Sequence, residues 1–224
     1  MQSWGTQSRF THRDTGREPS KSGVIGLVCA AMGRPRTAPL DDLRALKMGV
    51  RVDREGNLSR DFHTAGGSHR RGDPYGVIKN DGGRGGTVVS ERYYLADADF
   101  LVGLEGDDAL LRTIDAAFAA PKWQLCLGRK AFVPGSPVRL PDHPRFGAGL
   151  RSESLIDALT GYPWIVGGRR EGEREPELCR VVIDAETNSG HETRYDVPVS
   201  FANREFTLRY VQTDWITLTP PTEE

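Results

Sequence analysis

The apolar positions first gather between residues 24 and 32, where Val24 to Met32 are apolar on every side. Ser20 or Ser22 can cap this run, and Gly33 followed by Pro35 can end it. The pattern therefore predicts a buried helix, of the kind that lies on a sheet. Helical spacing at residues 40, 43 and 46 predicts a second, short amphipathic helix.

The period then changes to the alternation that is typical of strands. Val50 and Val52 alternate, and the turn residues Glu55-Gly56-Asn57 follow, which predicts a strand and a hairpin. Alternation returns at residues 100–104 and at residues 123–127, and between them Asp107 can cap an amphipathic helix that Pro121 ends.

The order helix, strand, hairpin, strand, helix, strand is most of a ferredoxin-like, or RRM-like, unit. Its first strand is not evident, because residues 1–10 are too polar to supply it. Strand patterns at 179–183, 195–199 and 206–210 predict a smaller β-rich part. We therefore predict an α+β protein with a ferredoxin-like domain at 1–130 and a smaller β-rich region at 131–224.

Residues 64–92 differ in kind from the rest. Glycines alternate there with cations, and few apolar residues interrupt them. Such a stretch buries no core of its own, so we expect a long loop or a projecting hairpin. A connection of this length inside a compact domain is usually functional or disordered. The cations among the glycines favour a functional segment over a disordered one.

Composition limits the class of protein. The 224 residues contain three cysteines without metal or disulfide spacing, and the longest apolar run is about half of the ~18 residues that a membrane span needs. We expect a cytoplasmic protein without a membrane partner. Residues 1–151 carry 23 basic and 17 acidic side chains, a net charge of +6, and residues 152–224 carry 7 and 14, a net charge of -7. A polyanion should prefer the first part.

Three groups of residues suit RNA. Lys21 and Ser22 lie at a predicted helix N-terminus, where amides favour an anion, although a capped helix with a solvated lysine fits equally well. Arg92-Tyr93-Tyr94, and Lys122-Trp123 with Arg129-Lys130 beyond, put cations beside aromatic rings, which suits single strands. The alternation of apolar residues at 123–127 favours a Trp123 ring that faces inward. A lone histidine such as His63 is more often structural than catalytic.

These segments together resemble the CasD family, a subunit of the type I-E CRISPR Cascade complex within the RAMP superfamily. The segments that carry the resemblance are Met1-Gln-Ser-Trp-Gly5, Arg13-Asp-Thr15, Arg17-Glu-Pro-Ser-Lys-Ser-Gly-Val-Ile-Gly-Leu27, Asp61-Phe-His-Thr64, Glu91-Arg-Tyr-Tyr-Leu-Ala-Asp-Ala-Asp-Phe100, Leu127-Gly-Arg-Lys130 and Arg204-Glu205. Two features depart from the family. Its members usually have an apolar strand before the first of these segments, so we expect a missing first strand or a late start, and a common tyrosine is replaced by Cys126.

The resemblance implies a non-catalytic subunit that binds the 5′ handle of the CRISPR RNA (crRNA). It implies a long hairpin, the thumb, at about 64–92, no cofactor or metal, and as partners the large subunit CasA, the terminal backbone subunit CasC and, indirectly, target DNA. The residues predicted to bind RNA are Arg13, Arg17, Lys21, Ser22, His63, Arg70, Arg71, Lys79, Arg84, Arg92, Tyr93, Lys122, Arg129, Lys130 and Arg204.

Two other functions stay open at this point. Related CasD-like proteins cleave repeat RNA without a metal, and His63, Tyr93 and Lys122 are the residues that would do so here. The other alternative is an assembly module that binds only proteins, which would leave no RNA in the purified complex.

Overall fold

A computed structural model describes residues 1–5, 11–67, 75–79, 81–141, 149–166, 168, 172–186 and 192–219. The elements are β1 His12–Arg13, α1 Lys21–Met32, α2 Asp41–Arg44, β2 Lys47–Arg54, β3 Asn57–Ala65, β4 Val88–Ala96, β5 Asp99–Glu105, α3 Asp108–Ala119, α4 Leu155–Gly161, β6 Cys179–Ala185, β7 Glu192–Ser200 and β8 Glu205–Ile216. The strands form a sheet ordered β1-β4-β3 and a second sheet ordered β5-β2-β6-β8-β7. The protein is α+β, as predicted. In the part of the chain described, no helix is long and apolar enough to cross a membrane.

The helix ends follow the predicted local signals. The Ser20 side chain accepts from the amide of Gly23 at 3.3 Å, and Gly33 ends α1 in the left-handed conformation with a φ of 71°. Asp107 caps α3 by accepting from the amide of Leu110 at 2.8 Å. The prediction of a buried α1 is confirmed, since its apolar side chains pack in a core that α2 and α3 also line.

A long two-stranded ribbon links the two sheets and bends between them. β2 pairs with β5 in the larger sheet, and β3 pairs with β4 in the smaller one. At the bend, Gly56 has a φ of 71° and Asp97 a φ of 56°, and a Cβ on Gly56 would lie 2.6 Å from the carbonyl oxygen of Ala96. The predicted hairpin turn at 55–57 is therefore wrong, because the chain changes sheets there and β2 does not pair with β3.

The strand predicted at residues 123–127 does not form. The amides of Lys122 and Trp123 instead donate to the carbonyls of Ala31 and Ala30, at 2.9 and 3.2 Å, so the end of α1 takes their hydrogen bonds. Trp123 is 49% exposed, which contradicts the expectation that its ring faces inward.

The C-terminal strands form as predicted, but they extend the larger sheet, because β6 pairs with β2. The fully buried Arg51 joins the two regions. Its guanidinium bonds to Asp53 at 2.6 and 2.8 Å, and it donates to the carbonyls of Leu159, Tyr162 and Pro163 at the end of α4. The boundary near residue 130 remains a prediction.

Candidate nucleic-acid interface

The first five residues lie between two parts of the candidate interface, the hairpin β3–β4 and the loop after α3. Gln2 pairs with Leu95 of β4 through backbone hydrogen bonds of 2.9 and 2.8 Å. On the other side, the amide of Ser3 donates to the carbonyl of Leu127 at 3.0 Å. The segment therefore ties the hairpin β3–β4 to the loop after α3.

Trp4 is the centre of this junction and is 3% exposed. Its amide donates to Thr15 Oγ1 at 2.9 Å, and its carbonyl accepts from the amide of Gly16 at 3.1 Å. Its ring lies against α1 so closely that a Cβ on Gly23 would be 2.8 Å from it. Segments that lie apart in the sequence and carry the family resemblance thus meet around one buried ring.

The loop at residues 127–132 is shaped by its glycine and by its own hydrogen bonds. Gly128 has a φ of 87°, and a Cβ there would overlap the carbonyl oxygen of Ser3. The amide of Leu127 donates to the carbonyl of Phe132 at 2.7 Å, and the amide of Phe132 donates to the carbonyl of Arg129 at 2.9 Å. This turn directs Arg129 to β4, where its Nη2 donates to the carbonyl of Tyr93 at 2.8 Å.

The register of β3 and β4 gives the hairpin two faces, because paired residues share a face and neighbours alternate. One face holds Arg92 with its partner Asp61, and β1 adds Arg13, which aligns with Arg92. We call this the arginine face. The opposite face, which we call the Tyr93 face, holds Tyr93 and the exposed Phe62 together with the ion pair Arg60–Glu91.

Three guanidinium groups gather at the arginine face. Burial and the charges of Arg92 and Arg13 lower the pKa of Arg129. Burial and Arg13 likewise lower the pKa of Arg92. Asp61 is the carboxylate that acts against both shifts, and it also lies 3.2 Å from His63 Nδ1. The site therefore has more positive than negative charge in partly desolvated surroundings, which favours an anion.

One nitrogen of this cluster stands out. Nη1 of Arg129 is buried and has no hydrogen-bond partner among the described residues. The same guanidinium lies 5.4 Å from the centroid of the Phe132 ring, and that ring lies 5.5 Å from the ring of Tyr94. Sequence reasoning did not single out Phe132, because its ring contacts depend on the fold rather than on a local pattern.

Lys21 does not lie where a phosphate from solution would reach it. Its Nζ is 2.7 Å from Asp184 Oδ2, and its side chain is 6% exposed. The helix N-terminus does bind an anion, but the anion belongs to the chain: the amide of Lys21 donates to Asp196 Oδ2 at 2.8 Å. Ser22 is half-buried, 3.3 Å from Ser20 between hydroxyl oxygens.

The other predicted residues are dispersed. Lys79 and Arg84 are exposed near the tip of the hairpin, and Arg204 is exposed in the turn between β7 and β8. Arg17, Lys122 and Lys130 are exposed on loops. Arg70 and Arg71 lie outside the described residues.

The three residues of the nuclease alternative are not brought together. His63 pairs with Ser90 in the register, so it lies on the arginine face, whereas Tyr93 pairs with Arg60 on the opposite Tyr93 face. The side chain of Lys122 lies over Gly33 at the end of α1. A general base, a second proton-transfer group and a cation therefore do not converge on one phosphate in this geometry.

Comparison with known proteins matches this architecture to one family. The family model described as CRISPR-associated protein (Cas_Cas5) matches residues 1–212. The chain is 27% identical over 226 residues to "CRISPR system Cascade subunit CasD" of Escherichia coli (strain K12), covering 93% of this chain and 89% of that protein.

Two solved structures agree. One, titled "Crystal structure of Cas protein", has a TM-score of 0.73 and 39% identity and covers 99% of this chain and 93% of its own. Another, titled "CRISPR RNA-guided surveillance complex", has a TM-score of 0.77 and 36% identity. The match covers 97% of this chain and 86% of the other. The chain therefore belongs to the Cas5 family of CRISPR-associated proteins.

Proposed function

We propose that this protein is a non-catalytic RNA-binding subunit of a Cascade-type CRISPR surveillance complex, in which it holds the 5′ handle of the crRNA. Membership of the Cas5 family and the likeness to a protein named as a Cascade subunit support the class of complex. The observation that carries RNA binding is the arginine face, where Arg13, Arg92 and Arg129 share one surface. Guanidinium groups bind phosphates in fork geometry, and no cofactor is needed to hold RNA in this way.

The assignment of the domain and of the thumb is part of the same proposal. We take residues 1–130 as a ferredoxin-like RNA-binding domain, and the hairpin β3–β4 with its glycine-rich tip as the thumb. The arms of this hairpin begin at Asn57 and end at Ala96, so the thumb extends beyond the glycine-rich stretch that composition marks. The proposed neighbours are CasA and CasC. This subunit contacts target DNA only indirectly, as part of a complex that acts in antiviral interference.

A shortened thumb tests the proposal. Replacing residues 66–87 with Asn-Gly is compatible with the strands, because Ala65 and Val88 already pair and Asn-Gly closes a two-residue hairpin. We expect the variant to keep its thermal unfolding transition but to enter the complex less and to crosslink less to the handle. The matched control is Arg112→Gln on the exposed side of α3, which should change neither. Handle nucleotides that crosslink only to other subunits would refute the proposal.

A further inference from the structure

We infer that Arg13, Arg92 and Arg129 form a discrete pocket for a single phosphate group of the RNA, rather than a diffuse basic surface. This inference rests on the proposed function and specifies what the arginine face binds.

The buried nitrogen of Arg129 is the first reason. A guanidinium stays protonated, so its Nη1 remains a donor that has lost water and gained no acceptor among the described residues. Buried charged donors are usually satisfied, and the acceptor that this nitrogen lacks is one that a bound ligand can supply. The ligand must therefore present an acceptor at this nitrogen.

The second reason is that Arg129 is held in one orientation. Its Nη2 is bound to the carbonyl of Tyr93 at 2.8 Å, and its charged end lies 5.4 Å from the centroid of the Phe132 ring. Arg92 is held as well, since its Nε donates to Ser90 Oγ at 3.0 Å. Preorganised donors lose little conformational freedom when they bind, which favours a defined site over loose attraction.

The third reason concerns the chemistry of the ligand. Guanidinium groups donate and do not accept, and although the O6/N7 edge of guanine also offers two acceptors, it carries no negative charge to balance three cations. A phosphate carries charge and offers only acceptors, so it satisfies the pocket completely. A bridging phosphodiester and a terminal 5′ phosphate share this chemistry, and the experiment below separates them.

Single phosphates can be neutralised one at a time. The complex is reconstituted with equal amounts of natural crRNA and crRNA that carries one methylphosphonate in its handle, and the ratio incorporated is measured. We expect one linkage at which the modified RNA is disfavoured about ten- to hundredfold, because charge-assisted hydrogen bonds are lost there. If instead a 5′-hydroxyl RNA shows this loss against a 5′-phosphate RNA, the terminal phosphate is the ligand.

The variant Arg129→Gln assigns that linkage to the pocket. In this variant the discrimination at the sensitive linkage should fall to near one. In the matched control Arg112→Gln, which changes an exposed arginine of α3, the discrimination should persist. If Arg129→Gln does not fold, Arg92→Gln takes its place, with thermal unfolding as the check.

The outcomes separate the inference from the proposed function. Small and equal losses at every linkage, unchanged in Arg129→Gln, would mean a diffuse surface and would overturn the pocket while leaving RNA binding intact. A handle that crosslinks to other subunits and not to this chain would overturn both. A sensitive linkage that persists in Arg129→Gln would place the phosphate elsewhere on the protein and would also overturn the pocket.

Discussion

Lys21 gives a decisive test, because sequence and structure assign it opposite roles. Its ammonium lies 2.7 Å from a carboxylate oxygen of Asp184, whose side chain is 11% exposed. Asp184 also pairs with Arg209, which binds Asp196 at 2.6 Å. Two positive and two negative side chains therefore balance in this group. Lys21→Met keeps most of the volume but leaves one negative charge without compensation.

The size of the effect follows from these contacts. Removing one partner of a buried ion pair costs about 3–5 kcal/mol of unfolding free energy. Asp184 keeps Arg209 and accepts from the amide of Met48 at 3.0 Å, so we expect the lower end, about 3 kcal/mol. For a chain of this size that loss lowers Tm by roughly 6–12 °C. The salt dependence of RNA binding should stay unchanged.

The assay combines thermal unfolding with RNA affinity measured over a series of salt concentrations. Lys130→Met is the matched control, since this lysine is exposed beside the arginine cluster. It should leave Tm unchanged and lower the log–log salt slope by about 0.7 if its ammonium meets one phosphate of a single strand. The reasoning is refuted if Lys21→Met keeps its stability within about 1 kcal/mol while its salt slope falls by about 0.7.

Three further predictions concern stability. Gly128→Ala should lower Tm by several degrees and weaken assembly because its Cβ would overlap Ser3, whereas Gly135→Ala, with open space around it, should do neither in the same unfolding and assembly assays. Burial raises the pKa of Cys179 from 9.0 to about 11, so stability should fall as pH rises from 9 to 11, and denaturant titrations should show less loss in Cys179→Val. Burial alone would raise the pKa of Glu18, but its two arginine partners lower it, so stability is lost as pH falls below about 4.5, and acid titrations of Glu18→Gln should show a shallower fall.

Local signals predicted the helices well, since a cap depends on neighbours in the chain. Ser20, Gly33 and Asp107 each do in the structure what their residue types favour. Alternation was less reliable, because it says nothing about the partner of a strand. The amides of Lys122 and Trp123 bond to the end of α1 instead of to a sheet, and the turn at Gly56 bends a ribbon that continues beyond it.

Only part of the candidate site was predictable. The sequence marks the cations, but the fold decides which of them are open to RNA. Arg92 stands beside Tyr93 in the sequence and Arg129 stands beside Lys130, and the structure brings Arg92 and Arg129 to one face. Lys21 looks equally suitable in the sequence, but its carboxylate partner lies 163 residues further along the chain. No local pattern reveals such a partner.

Net charge along the sequence therefore overstates the surface that is open to RNA. Part of the excess of cations in residues 1–151 is neutralised by carboxylates of the acidic remainder: Lys21 by Asp184 at 2.7 Å, and Arg54 by Glu173 at 2.5 Å. A cation that is already paired inside the protein releases no counterion when RNA binds, so it adds little to affinity or to the salt slope. What distinguishes Arg129 is that the charges of Arg92 and Arg13 act on it more strongly than the charge of Asp61 does, and that one of its donors lacks an acceptor among the described residues. The local balance of charge and hydrogen bonding, rather than the total, selects the place where a polyanion binds.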